Sequence, residues 1–209
     1  MNLHKFIQRI CAATVASALT LSLCTPVLAE GTAALPAPTS GTSQPDETGD
    51  VPIDPAHFPD ENFRKYLGQK AIDDDKNGIL SQTEREKVTA IVLHSAGNIS
   101  DLTGIKYFPN LKELYCNGGD LANLDVSQNT KLTNLYCYNN QVTSLDVSEN
   151  TKRTELDCSD NQLANLDVSE NPELTYLKCV SNQLTRLDLH VNSALETLIC
   201  DNNQLTSLN

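Results

Sequence analysis

Residues 110–209 contain five successive segments that follow one pattern with a period of 21 residues. They read NLKELYCNGGDLANLDVSQNT (110–130), KLTNLYCYNNQVTSLDVSENT (131–151), KRTELDCSDNQLANLDVSENP (152–172), ELTYLKCVSNQLTRLDLHVNS (173–193) and ALETLICDNNQLTSLN (194–209). Leucines, one cysteine, asparagines and an LDVS-type stretch recur at constant offsets. A short, regular period of this kind indicates a stack of similar structural units.

The repeated pattern resembles the leucine-rich repeat L-x-x-L-x-L-x-x-N-x-L, with cysteine in the third leucine position. The alternation of Leu135 and Cys137 predicts a short strand with both side chains inward, and Asn140 predicts a turn whose amide satisfies backbone groups of neighbouring coils. One unit cannot bury enough apolar surface to fold alone, whereas stacking joins the strands into a parallel sheet. We therefore expect an α/β solenoid with a parallel sheet on its concave side.

Several positions modify this regular array. Residues 88–111 keep the apolar rhythm over 23 residues and predict a transition coil, Gly119 replaces the turn asparagine, and Arg153 replaces a leucine. We expect the stem of Arg153 to pack inside and its guanidinium to reach solvent. The cysteines recur at one offset, so their Cβ atoms should lie roughly 4.8 Å apart with parallel bonds, which disfavours disulfides. We expect buried, reduced thiols at Cys116, Cys137, Cys158, Cys179 and Cys200.

Residues 57–87 predict a helix, a loop and a second helix. Asp60 suits the N-cap of the first helix, and Ser81 with Glu84 forms a capping box for the second. The loop between them matches the EF-hand calcium loop at every ligand position, with Gly78 at the sharp turn. Because calcium takes six to eight hard oxygen ligands, alternate residues must present oxygen atoms to it. The predicted ligands are Asp73, Asp75, Asn77, the Ile79 carbonyl, Ser81 and Glu84.

Residues 57–209 resemble secreted or surface leucine-rich repeat proteins of Gram-positive bacteria. These proteins combine FPD-x-x-F-R, a D-x-D-x-N/D-G-x-L-S loop, ISDLTGI and 21-residue LDVS-x-N repeats, and all four occur here. In listerial internalins an EF-hand-like helical segment covers the open end of the solenoid. The resemblance implies such an N-terminal cap at residues 55–87, followed by repeats over 88–209 that stop in mid-repeat without a C-terminal cap. A dockerin is disfavoured, because it needs two such loops.

The first 54 residues predict export. Lys5 and Arg9 precede an apolar segment, and a small-residue cleavage site ends at Ala29, so residues 1–29 indicate a signal peptide. A membrane anchor and a lipoprotein signal are the alternatives; the first is disfavoured by the short apolar run and the second by Leu23 before Cys24. Residues 30–54 are rich in proline, glycine and acidic residues and predict a disordered linker.

The composition excludes several classes of function. The chain carries 27 acidic and 15 basic residues, a net charge of −12, so phosphate backbones and anionic lipid are poor partners. We expect no nucleic-acid binding and no membrane insertion after signal cleavage. No histidine or cysteine lies in a nucleophile or metal motif, so we expect no catalytic activity.

The side chains beside the inward leucines should form the functional surface. Four of the six tyrosines fall there, and tyrosine suits both protein interfaces and sugar stacking. We expect a secreted or cell-surface module that binds a basic or neutral partner, a protein or glycan of a host cell or cell wall. Two alternatives stay open: the tyrosines only favour the strand, or the repeats are the recognition part of a larger secreted enzyme or surface assembly. The candidate contact residues are Tyr115, Tyr136, Tyr138, Asp157, Tyr176 and Lys178.

Overall fold

The computed structural model describes residues 49–94 and 96–208. The predicted signal peptide and most of the predicted linker lie outside this part of the chain. Ordered structure begins before the predicted boundary at Pro55: strand β1 (Val51–Pro52) pairs antiparallel with β2 (Ile79–Leu80). Val51 is fully buried, and the Ile53 amide donates to the Gly78 carbonyl at 2.9 Å. The last residues of the 30–54 segment therefore belong to the core, because an apolar side chain there has a strand to pack with.

Two short helices follow β1 and flank β2. Helix α1 (Glu61–Leu67) begins after Asp60, whose carboxylate accepts a hydrogen bond from the Phe63 amide at 2.9 Å. Helix α2 (Gln82–Lys87) begins after Ser81, which forms the predicted capping box with Glu84. These contacts satisfy N–H groups that have no partner within the helix. The buried faces of the two helices and β2 form the N-terminal cap, residues 49–87.

A six-stranded parallel sheet runs through the rest of the molecule in the order β3-β4-β5-β6-β7-β9. Its central residues pair in register, Leu114 with Leu135 and Leu135 with Leu156, so each step along the sheet is one 21-residue repeat. This confirms the predicted leucine-rich repeat solenoid with a parallel sheet. Its strands are β3 (Ala90–Val92), β4 (Glu113–Tyr115), β5 (Asn134–Tyr136), β6 (Glu155–Asp157), β7 (Tyr176–Lys178) and β9 (Thr197–Ile199).

Short elements complete the coils. A 3-10 helix spans Ile105–Tyr107 in the transition coil, and β8 (Arg186–Leu187) pairs parallel with β10 (Ser207–Leu208) in the last two coils. Over residues 49–94 and 96–208, no helix has the length and apolar character needed to cross a membrane.

Asparagine side chains join the coils inside the solenoid, as the sequence predicts. The Asn161 amide donates to the carbonyls of Cys137, Cys158 and Ser159, and its oxygen accepts from the Val142 amide. A second column of asparagines lies at the opposite edge of each coil. There, Asn171 donates to carbonyl oxygens of the preceding coil, those of Val147 and Asn150. Members of the first column are Asn140, Asn161, Asn182 and Asn203, and of the second Asn129, Asn150, Asn171 and Asn192.

Gly119, which replaces the first turn asparagine, has a steric cause. A Cβ atom at this position would lie 2.6 Å from the Ile99 carbonyl oxygen of the transition coil. Real Cβ atoms do not approach so closely, so only glycine fits where the 23-residue coil meets the regular array.

Arg153 departs from the expectation that its guanidinium reaches solvent; that expectation was wrong. The residue is fully buried, and its Nη2 donates to the Asn150 side-chain oxygen at 2.9 Å, while Nε and Nη1 have no protein partner. Burial lowers the pKa of Arg153 to about 10, and the neighbouring thiols of Cys137 and Cys158 oppose that shift. The inward leucine column gives the side chain no path to water, so stem and head are buried together.

The N-terminal cap closes the first edge of the sheet through side chains of both helices. The Val92 amide of edge strand β3 donates to the Tyr66 hydroxyl at 3.0 Å, and the Ser100 amide donates to Asp60 at 2.9 Å. Arg85 donates to the carbonyl of Tyr107 at 3.2 Å. These bonds satisfy backbone groups that have no further coil to pair with.

Candidate binding face and calcium loop

The exposed side of the parallel sheet is a grid of side chains, which we call the concave face. Strand register fixes its three rows, because residues at equal offsets on neighbouring strands lie side by side. Along the middle row lie Val92, Tyr115, Tyr136, Asp157, Lys178 and Ile199. The row before it holds Ala90, Glu113, Asn134, Glu155, Tyr176 and Thr197.

Tyr115 and Tyr136 form a stacked pair at the centre of this face. Their ring centroids are 4.8 Å apart and the ring planes differ by 6°. The spacing equals the distance between neighbouring strands, so the sheet itself holds the rings parallel. Both rings are half-buried. A rigid aromatic pair of this kind offers a large contact area without loss of side-chain entropy on binding.

Each ring of the pair donates its hydroxyl hydrogen to a carboxylate. Tyr115 donates to Glu113 at 3.2 Å, and Tyr136 donates to Glu155 on the next strand. Burial and the adjoining glutamates raise the pKa of Tyr115 and of Tyr136, so both phenols stay neutral hydrogen-bond donors. The pair and its two carboxylates therefore form one connected group.

A shallow depression of about 760 Å³ surrounds the tyrosine pair. It brings together five of the six predicted contact residues, and Tyr176 lies outside it, in the row of Glu155. Sequence reasoning missed His94 as part of this surface. The pairing of Ile91 with Leu114 would have found it, because the same 23-residue shift places His94 opposite Asn117. The lining residues are His94, Tyr115, Asn117, Tyr136, Tyr138, Asp157 and Lys178.

Asp157 and Lys178 interact with each other within this depression. The Lys178 Nζ lies 3.5 Å from an Asp157 oxygen, and the other Asp157 oxygen accepts from the Ser159 amide at 3.1 Å. The Asp157 side chain is only 7% exposed. Its carboxylate therefore contributes less to the acidic rim than its charge in the sequence suggests.

The predicted calcium loop brings three carboxylates together. Asp73, Asp75 and Glu84 each place one oxygen within 4.8 Å of the others, and this is the only group of three or more His, Cys, Asp or Glu residues with such geometry in residues 49–94 and 96–208. Asp73 and Glu84 are buried, at 2% and 5% exposure. Gly78 adopts a φ of +79°, which the sharp turn of the loop requires and which favours glycine.

Hydrogen bonds within the loop hold these oxygens in place. The Gly78 amide donates to Asp73, the Asp74 amide donates to Glu84, and the Ile79 amide donates to the Asn77 side chain. Burial raises the pKa of Glu84, but the hydrogen bonds from Ser81 and from backbone amides outweigh burial and hold that pKa below its usual value. Glu84 therefore stays ionised beside two other carboxylates.

The oxygen set fits a calcium ion. Calcium–oxygen distances of roughly 2.3–2.6 Å allow two ligands of one ion to lie up to about 5 Å apart, which covers the separation observed here. Three converging carboxylates, two of them buried, repel one another unless a cation offsets their charge. Asn77, Ile79 and Ser81 occupy the remaining ligand positions in the same loop.

The repeat cysteines form no disulfide among the described residues, as expected from their spacing. All five are buried, and burial raises the pKa of Cys137 to about 12. A buried thiol with a raised pKa is a poor nucleophile and a poor metal ligand. The cysteine column is therefore packing, and the chemistry of the molecule lies on the concave face and in the calcium loop.

Comparison with known proteins places the chain among leucine-rich repeat proteins of Listeria. Internalin J of Listeria monocytogenes is 39% identical over 73 residues, which is 35% of this chain and 8% of that protein. The solved functional domain of InlJ from Listeria monocytogenes, which includes a cysteine ladder, is 37% identical, covers 77% of this chain and has a TM-score of 0.69. No family model matches the chain.

A second solved structure supports the fold alone. The internalin InlF from Listeria monocytogenes is 21% identical over 75% of this chain, with a TM-score of 0.54. The chain spans only 35% of the length of the solved InlJ domain, so the similarity covers the capped repeats and not a whole internalin.

Proposed function

We propose that this homologue of Internalin J, which has an internalin-like leucine-rich repeat fold, is a non-enzymatic recognition module that binds a protein or glycan through its concave face. The proposed setting is the bacterial surface or the surrounding medium, and the partner belongs to a host cell or cell wall. The predicted signal peptide and the similarity to internalins support export.

The stacked pair of Tyr115 and Tyr136 gives this function its strongest support. Inward positions of the array hold nearly constant leucine and cysteine, whereas the positions of the concave face differ from coil to coil. Among those varied residues, two tyrosines are held parallel, with Tyr138 and His94 beside them in one depression. Half-buried aromatic anchors in a depression are typical of binding sites that carry most of the affinity.

Capture of surface components tests the concave face. Wild-type protein and the double variant Tyr136→Ala/Tyr138→Ala are immobilised and incubated with host-cell and cell-wall fractions. Loss of a central aromatic anchor costs about 2 kcal/mol or more, so the variant should bind a captured partner at least about 30-fold more weakly. Gln162→Ala/Gln183→Ala, at two exposed positions away from the sheet, is the control. Equal capture by wild type and the tyrosine variant would contradict the proposed site.

We also propose that a calcium ion stabilises the N-terminal cap. Its ligands would be the oxygens of Asp73, Asp75, Asn77, Ile79, Ser81 and Glu84, and the buried convergence of three carboxylates supports this. Extracellular modules bind calcium at roughly 10⁻⁴–10⁻³ M. At tenfold excess over the dissociation constant, binding adds about 1.4 kcal/mol to the free energy of unfolding. The melting temperature should then rise by roughly 3–6 °C.

Two neighbouring aspartates allow a matched test of the calcium site. Asp75→Asn and Glu84→Gln should abolish the calcium-dependent rise in melting temperature. Asp74→Asn should preserve it, because the Asp74 carboxylate pairs with Lys87 and occupies no ligand position. A calcium response that survives in Glu84→Gln, or that Asp74→Asn also removes, would place the site elsewhere.

A further inference from the structure

The acidic groups beside the tyrosine pair have no cationic partner of their own. Lys178 is the only lysine or arginine in the two rows that hold the tyrosines, and it pairs with Asp157. Among the salt bridges formed within residues 49–94 and 96–208, none involves Glu113 or Glu155. Each of these glutamates accepts only a neutral phenol hydrogen in the contacts described above.

The geometry makes the tyrosine pair a receptor for positive charge. A cation near the face of a tyrosine ring is attracted by the electrons of that face. Here the two hydroxyl groups point at carboxylates, so ring faces and negative charges lie in one half-buried patch. Each carboxylate oxygen can accept more than one hydrogen bond, so Glu113 and Glu155 keep acceptor capacity for a ligand.

A neutral sugar suits this arrangement less well. Sugar hydroxyls bind best where the protein offers both donors and acceptors, and the two phenol hydrogens are already directed at Glu113 and Glu155. The stacking also covers one face of each ring. What remains is outer ring surface with hydrogen-bond acceptors and no neutralising cation, which selects for a donor that carries positive charge.

We propose that the group formed by Glu113, Tyr115, Tyr136 and Glu155 binds an arginine or lysine side chain from a basic segment of a partner protein. Arginine fits best, because its flat guanidinium lies against an aromatic face while its N–H groups reach a carboxylate. This inference rests on the proposed binding function and narrows it to a protein partner with a basic contact segment. The net charge of −12 attracts such a segment from a distance and speeds its association.

A fluorescent peptide with three arginines separated by glycine and serine serves as the probe. Its affinity for the full chain is measured by anisotropy at physiological ionic strength, where distant charges are screened. A peptide of the same sequence with citrulline in place of arginine keeps the shape and removes the charge. Wild-type protein should bind the arginine peptide at least about tenfold more tightly than the citrulline peptide, as loss of charge-assisted hydrogen bonds predicts. Equal affinity for both peptides would overturn the proposal without any protein variant.

Charge-matched variants locate the contact. Glu113→Gln/Glu155→Gln keeps the side-chain shape and should weaken binding of the arginine peptide at least about tenfold. Glu149→Gln/Glu170→Gln changes the net charge by the same amount at two exposed positions outside the sheet and should change affinity less than about twofold. Equal losses in the two double variants would mean that the peptide senses overall charge only, and the proposal would fail.

The captured partner separates this proposal from the binding function itself. If Tyr136→Ala/Tyr138→Ala abolishes partner capture while Glu113→Gln/Glu155→Gln leaves it intact, the concave face binds its partner without a cationic contact, and only the present proposal fails. Capture of a neutral glycan that ignores the glutamate changes would also overturn it. If neither double variant affects capture, the proposed binding function fails as well. Loss of capture in both variants supports the two together.

Discussion

The N-terminal cap and the repeat array achieve stability in opposite ways. In the cap, residues 49–87, each contact occurs once: one capping box, one pair of short strands, one buried acidic loop. In the array, one contact recurs at 21-residue intervals, as in the asparagines that join each coil to its neighbour. A stack of this kind gains stability as a sum over neighbouring units, whereas the cap depends on individual side chains.

The largest expected effect is all-or-none and concerns the thiols. All five repeat cysteines lie in the array and none lies in residues 49–87, so thiol modification reports on the array alone. Since all are buried, and Cys137 has a pKa near 12, a thiol reagent should modify almost none of them in native protein and all five after denaturation. Peptide mapping by mass spectrometry measures this. Fast labelling of native Cys137 or Cys158 would show that the stack opens.

Removal of one array asparagine should lower stability more than any single change in the cap. Asn161→Ala deletes bonds to four backbone groups of two coils, and each buried group left without a partner costs about 1–3 kcal/mol. We expect a loss of at least about 3 kcal/mol in denaturant unfolding. Asn203→Ala, in the half-buried last coil, is the control and should cost less. Equal losses would mean that the coils do not share their stability along the stack.

A change in the opposite direction is expected at Arg153. Replacement of buried charged groups by apolar residues of similar size often stabilises a protein by about 1–4 kcal/mol. Arg153→Leu restores the residue found at this position in other coils and removes two unsatisfied nitrogen atoms, so its melting temperature should rise. Arg153→Ala provides the comparison, since it leaves a cavity and should be less stable than Arg153→Leu. A lower melting temperature for Arg153→Leu would show that the hydrogen bond to Asn150 outweighs burial of the charge.

The smallest expected effect lies at the joint between cap and array. Asp60→Ala removes an N-cap and the bonds from Ser100, at a cost of about 1 kcal/mol. Burial raises the pKa of Asp60, but hydrogen bonds from Ser100 and Phe63 outweigh it and hold the pKa below 3.8. Its contribution is therefore present above pH 3.8 and is lost as the pH falls through the lower, folded-state pKa. The difference in stability between wild type and Asp60→Ala should shrink over that range; a constant difference would contradict the assignment.

Sequence reasoning anticipated the array well because its information is redundant. Five copies of one pattern fix the strand position, the inward leucines and the turn asparagines, so an error in one copy is corrected by the others. The stacked tyrosines followed from the same register. Arg153 shows the limit: a single substitution carries no repeat to compare with, and whether its head reaches water depends on the packing of two adjacent coils.

The cap was anticipated by motif rather than by repetition. The capping residues and the calcium loop are local patterns with fixed spacing, and the structure reproduces the helix starts at Asp60 and Ser81. Strand β1 was not anticipated, because Val51 lies in a segment whose composition predicts disorder and its partner β2 is 28 residues away. His94 was missed for a related reason: the first coil is two residues longer than the others, so its face cannot be read from the 21-residue count alone.

The uniform 21-residue register also gives the array a translational symmetry along the chain. Since most inter-coil bonds join residues at the same offsets, a coil that skipped one neighbour and docked on the next would find nearly the same leucines, cysteines and asparagines to pair with. The native order must therefore be specified by the few positions that break the symmetry, among them Gly119, which accommodates only the transition coil. We expect folding to be guided from the capped end, where each contact has one possible partner. The same symmetry allows whole units to be gained or lost in evolution, each adding or removing one strand of the concave face while leaving the joints between the other coils unchanged.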